Sequence, residues 1–130
     1  MTRSAATLLT VLLVEDSDDS RRVIRLSLEL YGYRVMEARD GREAVAAARE
    51  RCPDIILMDL NMPHLDGLAA TKFIRECREP CQDVPIVAIT AFDVYGMRDA
   101  ALEAGCDDYI TKPIDFDLLD ETVRRLTARW

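Results

Sequence analysis

Five side chains suited to phosphoryl chemistry stand directly after short apolar runs. Glu15 and Asp16 follow Val11-Leu12-Leu13-Val14, Asp59 follows Ile55-Ile56-Leu57-Met58, Thr90 follows Ile86-Val87-Ala88-Ile89, and Lys112 follows Tyr109-Ile110-Thr111. Two like charges ~4 Å apart repel by about 4 kcal/mol at an effective dielectric near 20. Three carboxylates gathered on one rim therefore need a cation or protonation. Hard oxygen ligands that leave room for water and phosphate suit Mg²⁺ better than Zn²⁺, for which no neighbouring His or Cys is offered. A metal beside a carboxylate, with an ammonium and a hydroxyl pointing inward, supplies the charge neutralisation and positioning that phosphoryl transfer requires.

For these residues to meet, the apolar runs must lie side by side. Runs without polar alternation fit strands buried on both faces, as in a parallel sheet covered by helices. The stretch from Tyr33 to Ala38 alternates more, like an edge strand, and residues 109–111 form a short fifth strand. Between strands the apolar period becomes helical. The predicted faces are Val23, Ser27, Leu30 and Tyr31; Ala44, Val45 and Ala48; Ala70, Phe73, Ile74 and Cys77; Met97, Ala100, Ala101 and Ala104; and Leu119, Val123, Leu126 and Trp130. Ser17 and Asp115 are expected N-caps, Asp40 with Glu43 makes a capping-box-like start, and Gly32 and Gly105 stand where helix C-caps belong. Pro53 and Pro85 each precede a strand, where a missing N–H is tolerated. Strand then helix, five times over, gives an open α/β sheet with right-handed crossovers and helices on both faces. Ligands bind such sheets beyond the carboxyl ends of the strands, where the five residues stand.

Composition narrows the function classes. With 130 residues, 49% hydrophobic and 32% charged, the chain has the size and composition of one globular domain. A net charge of −7 disfavours direct binding to nucleic acid or to anionic lipid. No apolar run reaches the ~18 residues of a membrane span. Residues 5–14 faintly resemble a signal peptide, but Glu15, Asp16, Asp18 and Asp19 follow where a small-residue cleavage site would be. The four cysteines, Cys52, Cys77, Cys81 and Cys106, contain no C-x-x-C pair, so a reduced, cytoplasmic chain is the expectation.

Four stretches together resemble the receiver domain of two-component response regulators: L-L-V-E-D-S (12–17), D-I-I-L-M-D-L-N-M-P-H-L-D-G-L (54–68), I-V-A-I-T-A (86–91) and D-Y-I-T-K-P-I (108–114). The resemblance runs from about Thr10 to Leu126 and implies one receiver domain over residues 1–130. It implies a flavodoxin-like, doubly wound (βα)5 fold with strand order 2-1-3-4-5. By this likeness Asp59 accepts a phosphoryl group from a phosphohistidine. Asp16 binds Mg²⁺ directly (or Mn²⁺ in its place), Glu15 binds it through water, and Asp59 and the Asn61 carbonyl complete the set. Lys112 pairs with the phosphoryl oxygens, Thr90 and Ala91 bind them, and Tyr109 is the switch aromatic. Pro113 follows a cis peptide bond, which is essentially a proline phenomenon, and Gly67 is the loop glycine after the phosphorylation site.

The likeness implies a signalling switch and not an enzyme with external turnover. The donor is a sensor histidine kinase or a histidine phosphotransfer protein, and the output passes to a downstream protein. A monomer or a phosphorylation-dependent dimer is expected. The chain ends at Trp130, which gives the expectation of a stand-alone regulator unless it is a fragment of a larger regulator or hybrid kinase. The stretches T-A-F (90–92) and K-P-I (112–114) resemble stand-alone receivers of the cell-cycle type. Two departures stand out: Glu15 where many members have Asp, and Phe92 where some are polar, which bears on the phosphoaspartate lifetime.

Other readings are weaker. A phosphorylation-independent module usually loses a site acid or the lysine, and all are present here. A flavodoxin-type FMN binder would need a phosphate-cradling loop where Glu15-Asp16-Ser17-Asp18-Asp19 stands. An external phosphatase would want an acid at Asn61. His64 reads as an exposed loop residue, Cys77 as helix packing and Cys81 as incidental in preference to a redox pair of the two, and Arg21, Arg22 and Arg25 as a solvated face or a kinase contact.

Overall fold

The computed structural model describes residues 8–60, 67–76, 81–91 and 96–127. The apolar runs become β1 (Thr10–Val14), β2 (Arg34–Ala38), β3 (Ile55–Asp59), β4 (Ile86–Thr90) and β5 (Asp108–Thr111). The intervening helices are α1 (Asp18–Leu30), α2 (Gly41–Glu50), α3 (Gly67–Glu76), α4 (Met97–Ala104) and α5 (Phe116–Thr127). All strand pairs are parallel, in the order β2-β1-β3-β4-β5, which is the expected doubly wound, flavodoxin-like arrangement. β1 and β3 register as Val14 beside Met58, and β3 and β4 as Asp59 beside Ile89. Acids that follow β1 and close β3 are thus brought to one end of adjacent strands.

The two-residue period of a strand divides the core into two layers. Leu12, Val14, Ile56, Met58 and Ala88 pack toward Ala44 and Ala48 of α2, Ala70 and Ile74 of α3, and Ala101 of α4. Val11, Leu13, Ile55, Leu57, Val87 and Ile89 pack toward Ile24 and Leu28 of α1 and Leu119 and Val123 of α5. On α1 the buried line is Ile24 and Leu28. Val23 and Leu30, expected on the buried face, are 60% and 88% exposed, because the helix turns its neighbouring stripe to the sheet. Phe73 of α3 is likewise turned outward at 53% exposure.

Caps agree with the sequence. Ser17 Oγ accepts from Ser20 N at 3.3 Å, and Asp115 Oδ1 accepts from Asp117 N and Leu118 N. Asp40 accepts from Glu43 N at 2.9 Å, while Glu43 Oε1 reaches back to Arg39 N, one residue before the cap itself. Gly105 ends α4 at φ 118°, the left-handed conformation that a glycine adopts without steric cost. Cys52 and Cys81 are joined by a disulfide, with Cα atoms 5.5 Å apart. This corrects the expectation of a fully reduced chain and the reading of Cys81 as incidental. Cys77, His64, Phe92 and Trp130 lie outside the described residues.

Candidate functional site

Each site residue is delivered by the end of a strand. Residues 11–14 are almost wholly buried, so the chain emerges from the sheet at Glu15, which stays 2% exposed while Asp16 is exposed. Glu15 N donates to Ala38 O at 3.0 Å, which continues the sheet ladder one residue beyond β1. Asp59, the last residue of β3, is 4% exposed. One carboxylate oxygen from each of Glu15, Asp16 and Asp59 lies within 4.8 Å of the others.

Among the described residues, a single ammonium reaches this cluster. Lys112 Nζ stands 2.6 Å from Glu15 Oε1 and 3.7 Å from Asp59 Oδ2. Its backbone N donates to Thr90 O at 2.8 Å, and the Lys112–Pro113 peptide is cis, as expected. The second oxygen of Glu15 accepts from Ser17 N at 3.1 Å. Burial alone would raise the Glu15 pKa, but the hydrogen bonds from Lys112 and from the Ser17 N–H outweigh it and hold the carboxyl below its ordinary value. Burial alone would likewise lower the Lys112 pKa, yet the Glu15 hydrogen bond and the charges of Asp59, Glu15 and Asp16 raise it. The Thr90 side chain is wholly buried at the end of β4, and Ala91 beyond it is exposed.

Three carboxylates against one ammonium leave a net negative oxygen cluster, two of its members out of water. That donor set contains only oxygen, which fits a hard divalent cation such as Mg²⁺ and offers nothing to a thiophilic metal. Asn61, expected to add a carbonyl, lies outside the described residues.

Tyr109 is half-buried on β5 and packs at the margin of the α2/α3/α4 core layer. It also lines a surface crevice with Arg98, Thr111, Pro113, Asp115 and Leu118. Gly67 is the first residue of α3 and not a freely turning loop residue. It is required for another reason: a Cβ there would lie 2.5 Å from Asp59 O and 2.9 Å from a Leu60 methyl carbon.

Two arginines carry weight that sequence reasoning missed. Arg21, expected on a solvated face, donates Nη1 to Glu15 O at 3.0 Å and Nε to Glu37 Oε1 at 2.9 Å, and pairs with Asp18. It therefore braces the backbone that carries the first acid, whereas Arg22 is exposed. Arg75 donates to Gly105 O, Gln82 O, Val84 O and Asp107 Oδ2, which locks the loop after α4 to the segment leading into β4. Nothing local in the sequence marks either role, since Glu37 is 16 residues from Arg21 and Gly105 and Asp107 are 30 and 32 residues from Arg75.

Comparison with known proteins agrees with this geometry. Residues 11–124 match the response regulator receiver domain model. The chain is 36% identical over 115 residues to the polar-differentiation response regulator DivK of Brucella ovis, covering 88% of this chain and 93% of that protein. It is also similar to the receiver domain of sensor histidine kinase PA1611 from Pseudomonas aeruginosa PAO1, a structure with a magnesium ion coordinated in its active site cleft. There the identity is 40% and the TM-score 0.86, over 93% of this chain and 98% of that one. A third similar structure is the receiver domain of Ssk1, in complex with the histidine phosphotransfer protein Ypd1 of Saccharomyces cerevisiae, at 30% identity and a TM-score of 0.81 over 92% and 89% of the two chains. A family match running from β1 into α5, joined to relatives aligned over nearly their whole lengths, leads to one conclusion: this chain belongs to the response regulator receiver domain family, the phosphorylation switches of two-component signalling.

Proposed function

We propose that the chain is a Mg²⁺-dependent switch whose phosphoacceptor is Asp59. The observation that carries this reading is the placement of Asp59: buried at the end of β3, within 4.8 Å of the Glu15 and Asp16 oxygens, and 3.7 Å from Lys112 Nζ. In the reaction an Asp59 oxygen attacks the phosphorus of a phosphohistidine, the P–N bond breaks, and the released imidazole takes up a proton. Asp16 and Asp59 would hold Mg²⁺ directly, with Glu15 through water and the Asn61 carbonyl completing the set. When bound, the ion neutralises charge on the transferring phosphoryl oxygens. Lys112 pairs with those oxygens, and the Thr90 hydroxyl and the Ala91 backbone hold them.

Phosphorylation can shift a two-state equilibrium only by its differential interaction with the two states. Reversing a 1:99 population takes roughly 5.5 kcal/mol. Lys112 and Thr90 supply that difference, and Tyr109, half-buried beside a surface crevice, reports it to an effector on the face formed by α4, β5 and α5. That face also serves any phosphorylation-dependent dimer. The donor, a sensor histidine kinase or a histidine phosphotransfer protein, docks beside the site. A groove of about 420 Å³ lined by Asp19, Val23, Ile24, Lys112, Ile114 and Phe116 adjoins the carboxylates, and exposed Val23, Leu26 and Leu30 extend its apolar wall along α1. The Ypd1 complex of the similar Ssk1 receiver supports this kind of partner. We place the protein in the cytoplasm; no helix among the described residues is long and apolar enough to cross a membrane.

The test is transfer from a purified histidine phosphotransfer protein phosphorylated on histidine, followed by phosphate-affinity electrophoresis. The reading expects loss of label from the donor and gain on this chain, with Asp59→Asn blocking the gain. Transfer that persists in Asp59→Asn would overturn it.

A further inference from the structure

Far from the carboxylates, at the end of the sheet where the strands begin, Cys52 and Cys81 meet. Cys52 lies between α2 and β3 and is exposed; Cys81 lies between α3 and β4 and is 2% exposed. Their Cα atoms are 5.5 Å apart, inside the range that a disulfide spans without backbone movement, and the sulfurs are bonded. Cys81 Sγ also sits 2.8 Å from Ala48 O, a hydrogen bond that only the thiol can donate. The buried sulfur thus has a covalent partner in Cys52 when oxidised and an acceptor on α2 within reach when reduced. Cys52 opens on a crevice of about 580 Å³ whose walls include the guanidinium-bearing Arg34 and Arg51. Asp54, whose Oδ2 accepts from Thr10 N, also lines the crevice, so two guanidiniums against one carboxylate leave it net positive beside Cys52, which complements a small disulfide that carries carboxylates.

We propose that Cys52 and Cys81 form a reversible thiol–disulfide pair, oxidised by exchange with a low-molecular-weight anionic disulfide of the glutathione type that meets Cys52 first. The Cys52 thiolate attacks one sulfur of the small disulfide, forming a mixed disulfide and expelling one thiolate. Cys81 then loses its proton to solvent and attacks Cys52 Sγ, expelling the second thiolate. Two protein thiols are oxidised, and one small disulfide is reduced to two thiols. The resulting bond, with a sequence separation of 29 residues, encloses β3, Asp59 and α3. Closing a loop of that size restricts the unfolded chain, and it should raise the thermal midpoint by roughly 10 °C.

The experiment incubates the full chain in glutathione buffers from fully reduced to fully oxidised, then traps free thiols and maps peptides by mass spectrometry. The expected product lacks two hydrogens and links the Cys52 peptide to the Cys81 peptide, with the higher midpoint reversed by excess reduced glutathione. Cys81→Ser should stop at a single glutathione adduct on Cys52, and Cys52→Ser should form no internal bond. Either variant alone separates the roles, so poor folding of the buried Cys81→Ser variant leaves the exposed Cys52→Ser variant as the test. Four free thiols at every ratio, a bond joining Cys77 or Cys106, or first adduct formation on Cys81 would each overturn the proposal.

Discussion

Lys112 Nζ is closer to Glu15 than to Asp59, 2.6 Å against 3.7 Å. The side chain of glutamate, longer than that of the aspartate common at this position, reaches across the site and takes the lysine as its first partner. The ammonium therefore neutralises Glu15 more than Asp59. If Asp59 accepts phosphate as proposed, the phosphoryl group would draw Lys112 away from a charge-assisted hydrogen bond, and this one pair would set part of the energy difference between the two states of the switch.

Divalent metal should stabilise the fold, since three carboxylates repel one another around a single ammonium. At a Mg²⁺ concentration ten times its dissociation constant the gain is about 1.4 kcal/mol, readable as an upward shift of the thermal midpoint. Asp16→Asn should abolish the shift without unfolding the chain, because Asp16 is exposed. An equal shift in that variant would place the metal elsewhere.

The Glu15–Lys112 pair predicts a pH window. A carboxyl held below its ordinary 4.5 contributes stability that is present above that value and lost as pH falls through its lower folded value. An ammonium held above its ordinary 10.5 contributes stability present below that value and lost as pH rises through its higher folded value. The contribution is thus full from 4.5 to 10.5. Lys112→Gln, which leaves Glu15 buried without its cation, should cost about 2 kcal/mol at neutral pH in metal-free urea denaturation. The gap to the natural chain should narrow on acidification, as Glu15 becomes protonated. Parallel pH curves would contradict this assignment.

Gly67→Ala tests close approach. The added carbon would lie 2.5 Å from Asp59 O, which belongs to backbone and cannot rotate aside. A loss of about 2 kcal/mol is expected from overpacking, together with slower phosphoryl uptake because the carbonyl displaced belongs to Asp59, the proposed acceptor. Unchanged stability and uptake would show that α3 shifts freely.

Arg75→Ala should cost about 2 kcal/mol, since it strands the part-buried carbonyls of Gly105 and Val84. Arg75→Lys should restore little, because one ammonium cannot reproduce a planar fork. Equilibrium urea denaturation decides, and full rescue by lysine would reduce the residue's role to charge alone.

These residues also show what the sequence carries and what it does not. The four-residue apolar runs ending in Glu15, Asp59 and Thr90 are legible because a strand buried on both faces admits no polar residue until it leaves the sheet. Val23 and Leu30 were misplaced because apolar residues occupy two adjoining stripes of α1, and only the packed sheet selects Ile24 and Leu28. The braces made by Arg21 and Arg75 and the Cys52–Cys81 bond depend on partners up to 32 residues away, and the Lys112–Glu15 pair on partners 97 apart. Such pairings are set by topology and leave no local pattern.

The central claim is that Asp59 accepts phosphate, and intact-mass spectrometry after incubation with acetyl phosphate and Mg²⁺ tests it most directly. The account predicts one phosphoryl adduct that requires Mg²⁺ and is absent from Asp59→Asn. No adduct on the natural chain, or an adduct that survives the substitution, would contradict it and favour a receiver fold that binds its partners without phosphorylation.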